Sequence, residues 1–125
     1  MQNQSKNPTS SYLLIEWSGS TFPRNFPQPY LIYTDNIVNV VHHNNGSGGG
    51  GYDAIRINYF PMGLTSPVYV ELDYDGGLSS NDANETINGL IQAIRESQQF
   101  PGTSWDANKH TSGLGFPLYQ ITVVV

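Results

Sequence analysis

Between residues 67 and 100 the hydrophobic and polar positions first alternate and then repeat with a helical period. In the segment 68–75, apolar residues take every second position, and a period of two predicts a strand with one buried and one solvent-exposed face. The expected buried face is Val68, Val70, Leu72 and Tyr74, and the expected exposed face is Tyr69, Glu71, Asp73 and Asp75.

The helical period follows directly after a glycine pair, Gly76-Gly77, that ends the strand. Its apolar positions are spaced i, i+3, i+4 and i+7, which predicts one amphipathic helix over about residues 82–98. Asp82 and Glu85 stand three apart at its start, a spacing similar to a capping box. The residues of the stripe are Ile87, Leu90, Ile91 and Ile94.

Shorter apolar runs predict the remaining strands and the long loops between them. The glycine run at 44–51 predicts a flexible hairpin loop, and residues 101–117 predict a second long loop that contains Trp105. Trp17 and Trp105 are expected to anchor the core. The predicted strands cover residues 12–17, 30–34 and 37–43 (one strand or a bent pair), 53–60 and 118–125.

Together these elements predict a mostly β fold with one late helix (α+β). No strand–helix–strand alternation is present, so we expect a small antiparallel barrel or sandwich of five or six strands. A length of 125 residues predicts one domain, over 12–125, preceded by a polar arm at 1–11.

Composition removes several classes of function. Only 12% of the residues are charged, the net charge is −5 and there is no cysteine. A phosphate-tracking surface needs clustered Lys and Arg, and a thiolate metal site, a disulfide framework or a cysteine nucleophile needs cysteine. Residues 1–11 lack the apolar centre of a signal peptide, and no apolar run approaches the length of about 18 residues that a membrane span needs. We therefore expect no membrane partner.

The acidic turn after the central strand has the spacing of a calcium-binding loop. Its oxygen-bearing residues fall at loop positions 1, 3, 5, 9 and 12, with Gly76 at position 6 and a helix afterwards. A calcium loop begins after a helix and ends in glutamate, whereas this segment follows a strand and ends in aspartate, so the favoured alternative is a solvated strand face that runs into a helix start. We expect no cofactor, with calcium as the less favoured alternative. The candidate ligands are Glu71, Asp73, Asp75, Ser79 and Asp82.

No arrangement of residues indicates catalysis. His42 and His43 are adjacent in a strand, so their side chains are expected on opposite faces. No serine, histidine and aspartate have a spacing that would indicate a catalytic triad. The carboxylates of the central strand are expected to face water instead of forming an acid–base pair. We predict a protein that is not an enzyme and has no catalytic residues.

Several segments in order resemble a family of small proteins of ocean viruses of the cyanophage type. The matching segments are 12–15, 35–40, 55–59, the helix 86–97 and 103–105, followed by the closing strand. Members of that family are similar to Sm-like barrels that form rings. The resemblance implies an Sm-like barrel, a homo-oligomer and a place in a virion or the host cytoplasm.

The segment 35–41 is also similar to the base-holding element of RNA-binding Sm proteins. Val38 stands where that element has methionine, and Arg56 is followed by Ile57 where the second element has glycine. This similarity implies a single-stranded nucleic-acid site at Asp35, Asn39 and Arg56.

Two hypotheses from different classes follow. The favoured one is a structural subunit, part of a phage or virion, that meets copies of itself and other virion proteins through its arm and its last strand. The alternative is an Sm-like module that binds single-stranded nucleic acid. The predicted assembly residues are Met1, Gln2, Asn3, Gln4, Val123, Val124 and Val125.

Overall fold

The fold consists of seven strands in two sheets and one helix, as seen in a computed structural model that describes residues 11–17, 28–43, 54–60, 65–74, 80–108 and 118–124. The elements are β1 (Tyr12–Glu16), β2 (Tyr30–Tyr33), β3 (Ile37–His43), β4 (Ala54–Tyr59), β5 (Val68–Tyr74), α1 (Ser80–Ser97), β6 (Thr103–Asp106) and β7 (Leu118–Val124).

The smaller sheet has three strands in the order β2-β1-β6. β1 pairs antiparallel with β2, with Leu13 opposite Ile32, and parallel with β6, with Ile15 opposite Trp105. The chain can place β6 parallel to β1 because α1 and the larger sheet lie between them in sequence.

The larger sheet has four strands in the order β3-β4-β5-β7, and every pair is antiparallel. Its register forms rows that cross all four strands. One row is Val40, Ile57, Val70 and Val123, and the next row is Val41, Arg56, Glu71 and Thr122. Side chains of neighbouring rows point to opposite faces.

One hydrophobic core joins both sheets and the helix. Leu72, Ile55 and Leu13 are fully buried, and Leu90 and Ala93 bring the apolar stripe of α1 onto the same cluster. The prediction that Trp17 and Trp105 anchor the core is confirmed, since both lie in this cluster.

The prediction of a mostly β fold with one late helix is confirmed, whereas the details of the sheets differ. The strands do not close into a barrel, so neither a barrel nor its Sm-like form describes this chain. Residues 30–34 and 37–43 are two strands in different sheets, not one bent strand. The predicted loop at 101–117 contains β6, and the β1–β6 pair makes the smaller sheet mixed, not purely antiparallel.

The helix begins at Ser80 and ends at Ser97, close to the predicted bounds of about 82–98. Asp82 therefore lies in the first turn, not at the cap, and its backbone oxygen accepts a hydrogen bond from the Thr86 hydroxyl at 2.6 Å. A carboxylate in the first turn is favourable there, because the helix dipole is positive at this end.

The prediction that β5 has a solvent-exposed face is wrong. Val70, Leu72 and Tyr74 are fully buried as expected, but Glu71 and Asp73 on the other face are also buried, with exposures of 7% and 3%. β5 lies between β4 and β7, so these carboxylates belong to a central strand and not to an edge of the sheet.

Tyr74 joins the end of β5 to the residue after β6. Its hydroxyl is fully buried and donates a hydrogen bond to the Ala107 carbonyl oxygen at 3.0 Å. Burial, and secondly the charge of Asp106, raise the pKa of Tyr74 far above its ordinary value.

Replacing Tyr74 by phenylalanine is expected to lower the free energy of unfolding by about 1–2 kcal/mol, because the buried Ala107 carbonyl loses its donor. The pH dependence should change too. In the unfolded chain Tyr74 ionises near pH 10, while the folded chain keeps the proton, so stability falls as pH rises above 10. From pH 10 to pH 11, urea unfolding should show a loss of unfolding free energy that is about 1 kcal/mol smaller in the variant, because the unfolded tyrosine is only half ionised at pH 10. Equal slopes would contradict this assignment.

Candidate assembly surface

Within the described residues, the larger sheet has one open edge on each side. β3 and β7 each have seven residues and pair with a single strand among those that the structure describes. Neither contains Asp, Glu, Lys, Arg or Pro. Charged residues and proline are the usual means by which an edge strand is kept from pairing with another chain, so these two edges lack that protection.

Apolar side chains are exposed along both edges. Val38 and Val41 of β3 are 53% and 37% exposed, and Val123 of β7 is 39% exposed. The ladder from β3 to β4 shifts register between Ile37 and Asn39, which marks a bulge at the start of β3. Residues 39–43 keep a regular register with β4.

A second apolar surface lies on the outer face of the smaller sheet. Leu31 and Tyr33 of β2 are exposed, and their partners Leu14 and Tyr12 on β1 are half-buried. The rings of Tyr12 and Tyr33 meet edge to face, with their centroids 6.3 Å apart. Tyr12 also lies against Gly102, whose φ of +92° suits glycine.

The polar face of the larger sheet holds its buried charge in a defined pair. Arg56 Nε donates to Glu71 Oε1 at 2.7 Å, and the guanidinium lies 3.9 Å from the ring centroid of Tyr69. His43 Nε2 is 3.9 Å from the same Glu71 oxygen. These contacts compensate the cost of burying the Glu71 carboxylate.

The three residues of the nucleic-acid alternative have separate contacts. Asp35 Oδ1 accepts a hydrogen bond from the Ser11 backbone N–H at 3.2 Å, in the turn before β3. Asn39 Oδ1 accepts one from Asn58 Nδ2 at 2.7 Å. Arg56 and Asn39 share a face of the sheet, but Arg56 is already bound to Glu71.

The predicted calcium ligands are only partly described. Glu71 and Asp73 lie in β5 and Asp82 lies in α1, whereas Asp75 and Ser79 are outside the described residues. Within the described ranges no group of three or more His, Asp or Glu side chains is arranged to hold a metal ion. Calcium binding at this loop stays the less favoured alternative to a solvated strand face that runs into a helix start.

Of the predicted assembly residues, Val123 and Val124 lie in β7, at an open edge of the larger sheet. The predicted assembly residues did not include β3, the opposite edge, or the exposed pair of Leu31 and Tyr33. The absence of charge from 37–43 was the available signal for β3. The predictions that lie outside the described residues concern the arm with Met1, Gln2, Asn3 and Gln4, the glycine run 44–51 and Val125.

No family model, curated protein or solved structure matches this chain. Within the part of the chain that the structure describes, no helix is long and apolar enough to cross a membrane.

Proposed function

We propose that this protein is a non-enzymatic structural subunit that assembles with copies of itself through the open edges of its larger sheet. The observation that carries the proposal is the absence of charged residues and proline from both edge strands, β3 and β7, together with their exposed valines. An uncharged open edge offers backbone N–H and C=O groups that a strand of another chain can pair with.

The strand directions allow the sheet to continue from one copy to the next. The four strands of the sheet alternate in direction, so β3 and β7 are antiparallel to each other. If β7 of one copy lies beside β3 of the next, the alternation continues without interruption. Equal strand lengths of seven residues suit this pairing.

The rows of the sheet also match across this junction. Val40 and Val123 are the two ends of one row, so a copy placed in the same register brings Val123 beside Val40 of its neighbour. Because the two surfaces that meet are different, such contacts are heterologous and give a closed ring or an open filament. The sheet twist of about 20–25° per strand decides which of the two forms.

The resemblance to small ocean-virus proteins supports a virion as the place of this assembly, with other virion proteins as further partners. The nucleic-acid alternative has less support, because the guanidinium of Arg56 is already engaged with Glu71 and Tyr69.

Disulfide cross-linking tests the junction between copies. Because the chain has no cysteine, only the introduced thiols can form disulfides. Protein carrying Val40→Cys is mixed with protein carrying Val123→Cys under mild oxidation, the two being distinguished by tag size. The mixture should form a mixed disulfide in preference to either homodimer, because the proposed junction joins unlike edges. Electrophoresis without reductant measures the three products.

The matched control pairs Val123→Cys with Glu85→Cys, an exposed position on α1 that belongs to neither edge strand. This pair should cross-link at the background rate. A mixed disulfide no faster than the control, in a protein that is oligomeric by mass, would show that the copies meet elsewhere. If the protein is monomeric by mass, the proposed function itself fails.

A further inference from the structure

The outer face of the smaller sheet consists of alternate residues of β1 and their partners on β2. Tyr12 is opposite Tyr33, and Leu14 is opposite Leu31. Tyr33 and Leu31 are 60% and 40% exposed, and the two residues of β1 are half-buried. The face therefore has an aromatic row and an aliphatic row. It is separate from the open edges β3 and β7, which belong to the larger sheet.

The two tyrosine rings of this face form a corner. Tyr12 lies against Gly102, where a Cβ atom would be 3.4–3.6 Å from three atoms of the tyrosine side chain. Glycine at this position, with a φ of +92°, lets the Tyr12 ring approach the backbone of the neighbouring strand. The Tyr33 ring is inclined at 67° to it, with the centroids 6.3 Å apart. One ring is thus supported by the sheet, and the other stands at a steep angle beside it.

The face ends in a negative charge. Glu16 lies two residues beyond Leu14 on the same side of β1 and is opposite Asp106 on β6. Asp106 Oδ1 accepts a hydrogen bond from the Asn108 backbone N–H at 2.9 Å, so we assign contact with a ligand to Glu16. Glu16 also lines a cleft of about 330 Å³ between β6 and α1, whose described lining includes no lysine, arginine or histidine. This cleft gives a cationic side chain room beside Glu16.

We propose that this face binds a proline-rich peptide of another protein, in the polyproline II conformation, that carries one arginine or lysine. A proline ring packs into the corner between Tyr12 and Tyr33, and the next turn of the peptide lies on the leucine row. The cationic side chain lies beside Glu16. Aromatic-lined grooves bind such peptides well, because the polyproline II helix is already extended and loses little entropy on binding.

The length of the face agrees with this ligand. Glu16 lies four residues after Tyr12 in β1, which is a distance of about 13 Å at about 3.3 Å per residue. Four residues of a polyproline II helix span about 12 Å, at about 3.1 Å per residue. The peptide should therefore carry its cation about four positions from the proline that lies in the tyrosine corner.

Two other occupants fit the face less well. A second copy of the chain would bring its own net charge of −5 to a face that ends in Glu16, which is repulsive. A nucleic-acid strand could stack bases on the tyrosines, but its phosphates would then lie near Glu16 and Asp106. Sites for single strands combine stacking aromatics with a basic groove, and this face has the opposite charge.

Titration with fluorescein-labelled peptides tests the proposal on the full chain. The probe is a nonapeptide with arginine at its second position and proline at all others. One control keeps the arginine and replaces the prolines by glycine and serine, and another keeps the prolines and replaces arginine by glutamate. Fluorescence anisotropy should show saturable binding of the probe. The glycine–serine peptide should bind at least tenfold more weakly, and the glutamate peptide about twofold to fivefold more weakly, as expected for one exposed charge pair.

Variants of the protein locate the site. Tyr33→Ser removes one side of the corner and should weaken binding at least fivefold, and a thermal unfolding curve shows that the variant is folded. Its matched control is Phe60→Ser, which removes a 38% exposed aromatic ring directly after β4 and should leave the affinity unchanged. Glu16→Gln should weaken binding of the probe about twofold to fivefold. Glu85→Gln, which removes the same charge from an exposed position of α1, should have no effect.

Four results would overturn the proposal. Absent binding of the probe, or equal binding of the glycine–serine peptide, would exclude recognition of a polyproline II helix. Equal weakening by Tyr33→Ser and Phe60→Ser would show that the peptide binds elsewhere. Equal weakening by Glu16→Gln and Glu85→Gln would show that the peptide senses only the net charge of −5. A lower mass of the unliganded Tyr33→Ser variant would show that copies of the chain meet at this face. The first three results leave the proposed function intact.

Discussion

Lysine at both open edges is expected to convert the assembled protein into monomers. Val41 on β3 and Val123 on β7 are both more than a third exposed, so Val41→Lys and Val123→Lys should be accepted by the folded subunit. At a junction in the proposed register, position 41 lies beside Thr122 of the neighbouring copy and position 123 lies beside Val40. Each lysine would lose much of its hydration between the two strands, which is unfavourable. The measurement is mass by light scattering after gel filtration of the double variant and of each single variant.

The matched control is Phe100→Lys, which adds the same charge at a 69% exposed apolar residue outside both sheets. It should keep the mass of the wild-type assembly. In a heterologous assembly every junction joins one β3 edge to one β7 edge, so a single lysine is present at every junction. Each single variant should therefore be monomeric too. Double-variant protein that keeps the wild-type mass would show that the edges of the larger sheet do not meet.

Removing the cation from the polar face of the larger sheet is expected to give the largest loss of stability. Arg56→Met leaves Glu71 buried without the guanidinium that is 2.7 Å away. Losing one partner of a buried pair costs about 3–5 kcal/mol. Because Arg56 is partly exposed, we expect a smaller loss of about 2–3 kcal/mol. Urea unfolding measures the change in the free energy of unfolding.

The double variant Arg56→Met with Glu71→Leu distinguishes the loss of the charge pair from a loss of side-chain packing. Removing both charges together leaves no unpaired carboxylate, so the double variant should be more stable than Arg56→Met alone. His43, which lies 3.9 Å from Glu71, keeps this contact in Arg56→Met and loses it in the double variant. Glu71→Leu is also measured alone. If the stability losses of Arg56→Met and Glu71→Leu add up to the loss of the double variant, the two side chains do not act as a pair.

Local periodicity was sufficient to predict the helix and most strands. The stripe that includes Leu90 and Ile94 specifies which face of α1 packs on the core, and the alternation in 68–74 specifies the core face of β5. Both patterns depend only on the order of side chains within one element, and that order can be read from a single sequence.

Partners distant in the sequence could not be predicted in the same way. β6 has only four residues and lies directly after a glycine with positive φ, so its sequence resembled that of a loop. It forms a strand because it pairs with β1, about ninety positions earlier along the chain. The burial of Glu71 likewise depends on Arg56 from the neighbouring strand. A pattern within β5 cannot show that a neighbouring strand supplies a cation.

The candidate assembly surface was predictable only in part for the same reason. The apolar end of the chain pointed to β7, and Val123 is indeed exposed there. β3 became visible as an edge only from the strand order, since the same uncharged sequence at 37–43 would equally suit a central strand. Whether an apolar strand is an edge or a centre is decided by the topology.

Self-assembly as a structural subunit is tested most directly by the mass of the purified protein, measured by light scattering after gel filtration, with and without single-stranded RNA. We expect a stable multiple of the 13.8 kDa chain that is unchanged by RNA, even at low salt. A complex that forms with RNA and dissociates as salt rises would favour the nucleic-acid alternative. A monomer of 13.8 kDa over the whole concentration range would show that the protein does not assemble with copies of itself.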